Sequence, residues 1–506
     1  MADTPQTLLQ DQYDSALTSN VCPPGWVNPE PARRYNLVVL GAGSAGLAAA
    51  RYAAGLGAKV ALVEAFCLGG DRLNTGCVPS KSLIRSARAY SDVYTAGRYG
   101  VRIPELIQED FSVAMTRMRR TRSLLSIHDA ARRFRDAGVD VFLGHGRFTG
   151  PDTIHVGGKT LRFSRALIAT GSRPIVPAIE GLARVGYLTS ETLFSLTQQP
   201  RRLVVIGAGP TGCEMAQAFC RLGSEVTLIE REGRILPNED ADVARILGNA
   251  LQRDDVSTKL GAIVTHVRGS ESEKTVFLRM GPHGEQVTAD EMLVCVGRSP
   301  NTDGLDLPAA GIKYDATRGI LIDDWLCTSN PRVYAAGDVC TRYRFAHVAE
   351  AMARIALENA LLRGRKRFSD LMIPRCIYTD PEIAHVGLCA DEVQRQDNEI
   401  ETFSVPFHTV DRAVIDGDED GLLKIHVRKG KDRIVSATII GRQAAEMIGE
   451  VTMAMVHNIG LGGIAKVMHP YPTHAEAIRK AAQAYQRTRL TPLVKRLLQR
   501  WLAWNR

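Results

Sequence analysis

The stretch NLVVLGAGSAGLAAARYAAGLGAKVALVE, residues 36–64, reads as one complete βαβ unit. Its opening run, NLVVL, is apolar without alternation, as expected of a parallel strand buried on both faces. Three glycines follow at the spacing of a dinucleotide turn: Gly41 permits the tight turn, Gly43 lets a pyrophosphate approach the backbone, and Gly46 lets helix and strand pack closely. The alanine-rich helix after them offers its N-terminal amides and positive dipole end to that pyrophosphate. A second strand, AKVALVE, ends on Glu64, placed to accept hydrogen bonds from ribose hydroxyls. A glycine motif alone is weak evidence, but here strand, turn, helix, strand and acid arrive in order.

The unit recurs 166 residues further on. LVVIGAGPTGCEMAQAFCRLGSEVTLIE, residues 203–230, places Gly207, Gly209 and Gly212 in the turn and Glu230 at the end of its second strand. Two nucleotide units in one chain suit a hydride passed between two cofactors. Glu230 favours NADH, because an acid there repels the 2′-phosphate of NADPH; Arg231 and Arg234 soften the choice, so NADPH stays open.

Between the two units lies GGDRLNTGCVPSK, residues 69–81. It resembles the redox-active helix of the class I pyridine nucleotide-disulfide oxidoreductases, the family of dihydrolipoamide dehydrogenase, glutathione reductase and mercuric reductase. That family's pattern is cysteine, four residues, cysteine. Cys77 matches the second, flavin-side thiol, while the first position holds Arg72. Cys77 opens a helical segment, and thiols at helix N-termini are readily held as thiolates. A lone Cys77 closes no disulfide within this helix and presents no outer thiol to a substrate. Cys67, ten residues earlier, is poorly placed to replace the missing sulfur.

Further stretches carry the same resemblance. ALIATGSRPIVP (residues 166–177), with Thr170 and Gly171, resembles the crossover from flavin to nicotinamide domain; LVCVGRSPN (residues 293–301), with Gly297, resembles the return. VYAAGDV (residues 333–339) resembles the second flavin motif, in which Asp338 holds the ribityl chain. By resemblance, Lys81 lies near the flavin N5 and pairs with Glu214 beside the nicotinamide. HPYPTHAE (residues 469–476) matches the segment that reaches into the partner subunit's site. Tyr471 stands where most members carry a histidine base, as in mercuric reductases, and Glu476 follows at the expected offset. A phenol is a poor base at neutral pH. His469 and His474 flank it, each more often a structural histidine than a base. The chain has no cysteine after Cys389 and only Cys22 in its first 35 residues, so neither thiol pair of mercury handling is expected, nor any metal site.

Composition narrows the class. At 506 residues, 45% hydrophobic and 23% charged, the chain has the content of an ordinary globular protein of about three domains. No apolar run is long enough to span a membrane, and the polar start lacks a signal-peptide pattern, so the cytoplasm is the expected location. Of the net charge of +8, six units belong to Arg487, Arg489, Lys495, Arg496, Arg500 and Arg506, in a stretch without acids. The basic balance therefore sits in the tail, and no nucleic-acid motif accompanies it. LVKRLLQRWLAWNR, residues 493–506, is amphipathic at helical period. A packing element and a peripheral membrane contact through residues 490–506 are both open readings.

The expected fold is α/β, with two Rossmann-like nucleotide-binding domains and an α+β C-terminal dimerisation domain. The expected organisation is an extended N-terminal arm (1–34), an FAD domain (35–182 and 299–372), an NAD(P) domain (183–298), a dimerisation domain (373–488) and a basic amphipathic tail (489–506). FAD falls to Gly41, Gly43, Gly46, Glu64, Lys81, Thr170, Gly171 and Asp338, and NADH to Gly207, Gly209, Gly212, Glu230 and Gly297. Cys77, Lys81, Glu214, Tyr471 and Glu476 are the expected catalytic set. The implied function is a homodimeric FAD-dependent NAD(P)H oxidoreductase that passes electrons to a small-molecule acceptor without an intact dithiol. The alternative is a flavin-binding protein without turnover, kept for partner or membrane docking.

Overall fold

The computed structural model describes residues 11–103, 109–395 and 399–506. The chain forms two compact units: one runs to Arg231 and resumes over Ala262–Leu371, the other takes Glu232–Gly261 and Met372–Arg506.

Among the described residues the first unit opens with a helix, α1 (Gln12–Val21), within the stretch where an extended arm was expected. Asp11 caps it, its carboxylate accepting from the amides of Tyr13 and Asp14. Leu17 and Val21 are buried, and Asp14 forms an ion pair of 2.7 Å with Arg122 inside the protein. The prolines at 23, 24, 29 and 31 follow the helix in a segment without helix or strand that turns at Pro24–Gly25.

The first nucleotide unit folds as read: β1 (Tyr35–Leu40), α2 (Ser44–Gly55) and β2 (Val60–Glu64). Then come α3 (Gly70–Asn74), α4 (Cys77–Thr95) and α5 (Phe111–Ser126). Strands β3 (Val139–Leu143), β4 (Arg147–Gly150), β5 (Thr153–Val156) and β6 (Lys159–Ile168) complete a sheet of order β3-β2-β1-β6-β5-β4, and Val333–Ala335 pairs with β6 as a seventh strand. The strands from β3 to β6 on the β1 side are parallel and their apolar side chains, Leu143 at the end of β3 excepted, are buried, as two covered faces require.

The second nucleotide unit repeats this geometry. Arg202–Ile206 pairs in parallel with Glu225–Glu230 on one side and Glu291–Val294 on the other. The turns match glycine for glycine. Gly41 and Gly207 both have positive φ, +96° and +102°, and a Cβ on either would fall 2.4 or 2.6 Å from a carbonyl oxygen, of Ala169 or Cys295. A Cβ on Gly46 or Gly212 would overlap the carbonyl of Gly41 or Gly207, so close helix–strand packing excludes any side chain there. The two crossovers meet as a short antiparallel pair, Ser172–Pro174 with Arg298–Pro300.

The second unit is built on a five-stranded antiparallel sheet: Pro374–Ile377, Glu382–Gly387, Ile434–Gly441, Leu422–Arg428 and Ile400–Pro406, in that spatial order. Helices Ala444–Val456 and Glu476–Thr488 cover it, burying Val451, Ile478, Ala481 and Tyr485 against Ile425 and Ile439. The helix Pro492–Trp504 follows with no buried residue.

Candidate active site

Each glycine turn ends in an uncapped helix. Gly43 and Gly209 occupy the N-cap positions of α2 and of the helix Pro210–Arg221, with no side chain accepting from their first amides. Beside Gly209 a Cβ would meet nothing within 4 Å, and beside Gly43 only the Cα of Gly70 at 3.7 Å. Both cradles are open to an anion, and the free amides are its natural donors. Glu64 and Glu230 act alike at the strand ends: their carboxylates accept from the amides of Ala42 at 2.6 Å and Ala208 at 2.7 Å. Glu64 also accepts from Phe66 at 2.9 Å, and burial pushes its carboxyl up. A carboxylate oxygen holding one amide keeps a second lone pair, so ribose hydroxyls remain within its capacity.

Gly69 and Gly70 turn the chain with positive φ into α3, which carries Arg72. The Arg72 guanidinium forms a close ion pair with Asp129, a carboxylate whose side chain is only 6% exposed. Burial pushes the Asp129 carboxyl up, and Arg72 and then Arg51 draw it back. The sequence reading missed Asp129, which stands in no motif. Cys77, at the head of α4, is an exposed free thiol; all ten cysteines are free. Cys67 lies instead beside Cys22, whose thiol it draws below the ordinary range. Their segments are joined by the Leu68 amide donating to the Val21 carbonyl at 2.9 Å.

One turn after Cys77, Lys81 Nζ lies 2.8 Å from Oε2 of Glu214, whose side chain is buried. The structure thus brings together two expected site residues that stand 133 positions apart. Asp338 accepts from the Ser172 hydroxyl at 2.7 Å, and Ser172 in turn accepts from Arg298 Nε at 2.8 Å. Arg298 continues into a close ion pair with Asp71, whose carboxyl burial pushes up and Arg298 pulls down. This chain ties the residue beside Arg72 to both crossovers. Asp71, Ser172 and Arg298 were missed, although each lies inside a quoted motif; their polarity next to flavin-domain glycines was the available signal. Thr170 and Gly171 clamp the crossovers through Asn301, by Thr170 Oγ1 to the Asn301 carbonyl at 2.7 Å and the Asn301 amide to the Gly171 carbonyl at 2.9 Å. Gly297, at positive φ, accepts from the Ile175 amide at 3.0 Å.

In the second unit, Tyr471 and Glu476 are not bonded to each other. The exposed Tyr471 hydroxyl donates to Asp411 at 2.8 Å, and that bond is the main cause raising the phenol above its ordinary range. Glu476 is buried; one oxygen accepts from Arg479 at 2.5 Å and the other has no hydrogen-bond partner. His469 contacts Glu450 at 2.9 Å; burial holds the ring of His474 below its ordinary range.

Residues 35–353 match the pyridine nucleotide-disulphide oxidoreductase family, and residues 373–482 match its dimerisation domain. The chain belongs to the pyridine nucleotide-disulphide oxidoreductases. It is 31% identical over 461 residues to a mercuric reductase of Lysinibacillus sphaericus, covering 90% of this chain and 83% of that one. It is 33% identical over 462 residues to a dihydrolipoyl dehydrogenase of Thermus scotoductus, covering 89% and 97%. Among solved structures, the HOCl-induced flavoprotein disulfide reductase RclA from Escherichia coli aligns with a TM-score of 0.79 at 25% identity, over 89% of this chain and 99% of that one. FAD and NAD(P)H are the cofactors of this family, and the protein is an oxidoreductase with its mixed α/β fold and dimerisation domain. The two open cradles, each with a buried acid behind it, fit two dinucleotides. No helix among the described residues is long and apolar enough to cross a membrane.

Proposed function

We propose that this protein oxidises NADH and delivers the electrons to a small two-electron acceptor without a dithiol relay. The balance for a quinone acceptor is NADH + H⁺ + quinone → NAD⁺ + quinol. One observation carries the reading: an arginine paired to buried Asp129 stands at the position of the first thiol. FAD, when bound, supplies the two-electron chemistry between nicotinamide and acceptor. The residues of this chain hold and orient. Gly43 and the α2 amides would take the flavin pyrophosphate, Glu64 the ribose, and Asp338 the ribityl chain, with Ser172 fixing the Asp338 carboxylate. Gly209 and Glu230 would hold the nicotinamide nucleotide, and the acid favours NADH over NADPH. The Lys81–Glu214 pair fixes a cation at the head of α4 and polarises its surroundings. Tyr471 and Glu476 would act across a homodimer, Tyr471 as a hydrogen-bond donor, since its phenol is protonated at neutral pH.

The experiment is an acceptor panel on the FAD-loaded enzyme with NADH: neutral quinones are reduced, while lipoamide and glutathione disulfide are poor substrates. Turnover of either disulfide at the rate of the quinones contradicts the proposal. A narrower reading concerns location. The helix Pro492–Trp504 exposes Leu493, Leu497, Trp501 and Leu502 beside Lys495, Arg496 and Arg500, which suits the surface of an anionic bilayer. Removing residues 490–506 is expected to abolish co-sedimentation with phosphatidylserine vesicles, and unchanged binding excludes this role.

A further inference from the structure

Beside Cys77 the surface opens into a groove of about 480 Å³ between α4 and α5. Cys77, Lys81 and Arg85, each four residues apart, line one wall; Arg117, Thr121 and Leu125, spaced likewise, line the other. Arg72 also borders the groove, so four cations and no acid face it. Two of the four are already matched, Arg72 by Asp129 and Lys81 by Glu214. The other two are not: among the described residues neither Arg85 nor Arg117 has a carboxylate partner. Arg117 donates one bond, to the Ser82 carbonyl at 3.0 Å, leaving most of its donors free. An isolated surface arginine needs no explanation, but two unmatched guanidiniums at the rim of an acid-free groove leave it a net positive potential.

We infer that this groove admits the acceptor and selects for an anionic one, a planar quinone-like molecule bearing a carboxylate or sulfonate, with Arg85 and Arg117 as the specificity-determining residues. The inference rests on the proposal that electrons leave without a dithiol. The cationic fork of Arg matches an oxyanion in geometry as well as in charge. Cys77, Val78 and Leu125 give the ring system its less polar contacts.

The test compares 1,4-naphthoquinone-2-sulfonate with the neutral 2-methyl-1,4-naphthoquinone on the FAD-loaded enzyme, wild type and Arg85→Gln, Arg117→Gln and the double variant. At low salt the wild type is expected to show a KM about tenfold lower for the sulfonate, the scale of one charge-assisted hydrogen bond. The double variant loses that preference, and kcat/KM for the neutral quinone stays within about twofold. Binding of the redox-inert 2-naphthalenesulfonate, followed by calorimetry, is expected to weaken in parallel and to fall with added salt. Arg85→Gln alone, at a side chain with no hydrogen bond among the described residues, is expected to give part of the effect. Equal KM values for the two quinones in the wild type, or naphthalenesulfonate binding unchanged in the double variant, overturn the inference. If neither quinone is reduced while naphthalenesulfonate still binds in an arginine-dependent way, the direct-exit proposal fails and the anion site stands.

Discussion

At the scale of single residues, Arg72 shows what a motif reveals and what only the fold supplies. The substitution was legible because one position of a spaced cysteine pattern was broken. Its partner was not, because Asp129 lies 57 positions away in a stretch without any motif, and only the packing of α3 against the end of α5 brings them together. Lys81 and Glu214 are the opposite case, each sitting inside a recognisable motif. Glu64 lies between: its place at a strand end was readable, its two backbone donors were not. An Arg72→Cys variant is expected to close a disulfide with Cys77, five residues on at the head of the next helix. The variant has eleven cysteines, and after air oxidation and denaturation nine thiols are expected to titrate, against ten in the wild type; eleven titrating thiols contradict this. The same change strands the Asp129 carboxylate. The cost is expected to be about 1–3 kcal/mol, less than for a fully buried pair, because the Arg72 side chain is 34% exposed. Denaturation midpoints check this, and adding Asp129→Asn is expected to recover part of it.

At the scale of elements, the nucleotide units were legible because their signals are local: strand period, glycine spacing and terminal acid lie within 30 residues of one another. Helix α1 was not. It is short, its apolar side chains are few, and the prolines after it dominate the reading of the region. It is held by tertiary partners, the buried Leu17 and Val21 and the Asp14–Arg122 pair, whose side chains are 3% and 4% exposed. Replacing Arg122 with Met leaves a buried carboxylate unmatched and is expected to cost about 3–5 kcal/mol in chemical denaturation; a loss below about 1 kcal/mol shows that α1 is held by its apolar side chains instead. In the second unit, His385 makes stability depend on pH. Its Nε2–H donates to the Gly387 carbonyl at 3.3 Å, so in the neutral ring Nδ1 accepts from the Thr438 hydroxyl at 2.9 Å. Burial first, and Arg375 next, hold its pKa down at about 3, against an ordinary 6.5. A depressed histidine favours the fold in its neutral form, so this contribution is complete above about pH 6.5 and declines as pH falls toward 3. His385→Gln is expected to flatten that part of the acid limb relative to wild type in urea midpoints at pH 7, 5 and 4. Parallel limbs contradict the assignment.

At the scale of the whole molecule, the ordering of motifs carried more than any one of them. Two βαβ units, two crossovers and a second flavin motif in sequence implied one domain interrupted by another, and the crossovers do meet in space as a β pair. What the order did not give was the polar chain from Asp71 through Arg298 and Ser172 to Asp338, because its links come from four separate stretches. Nor did the order reveal that Tyr471 is engaged by Asp411 within its own chain. The central claim is about electron capacity. A member with an intact dithiol takes up two electron pairs, one in the flavin and one in the disulfide; with Arg72 in place of a thiol only the flavin remains. Anaerobic titration of the FAD-loaded protein with dithionite, following flavin absorbance, measures this directly. The expected endpoint is about one two-electron equivalent per flavin, with no lag before bleaching. An endpoint near two equivalents, with the first consumed before the flavin bleaches, reveals a second redox pair and contradicts the account.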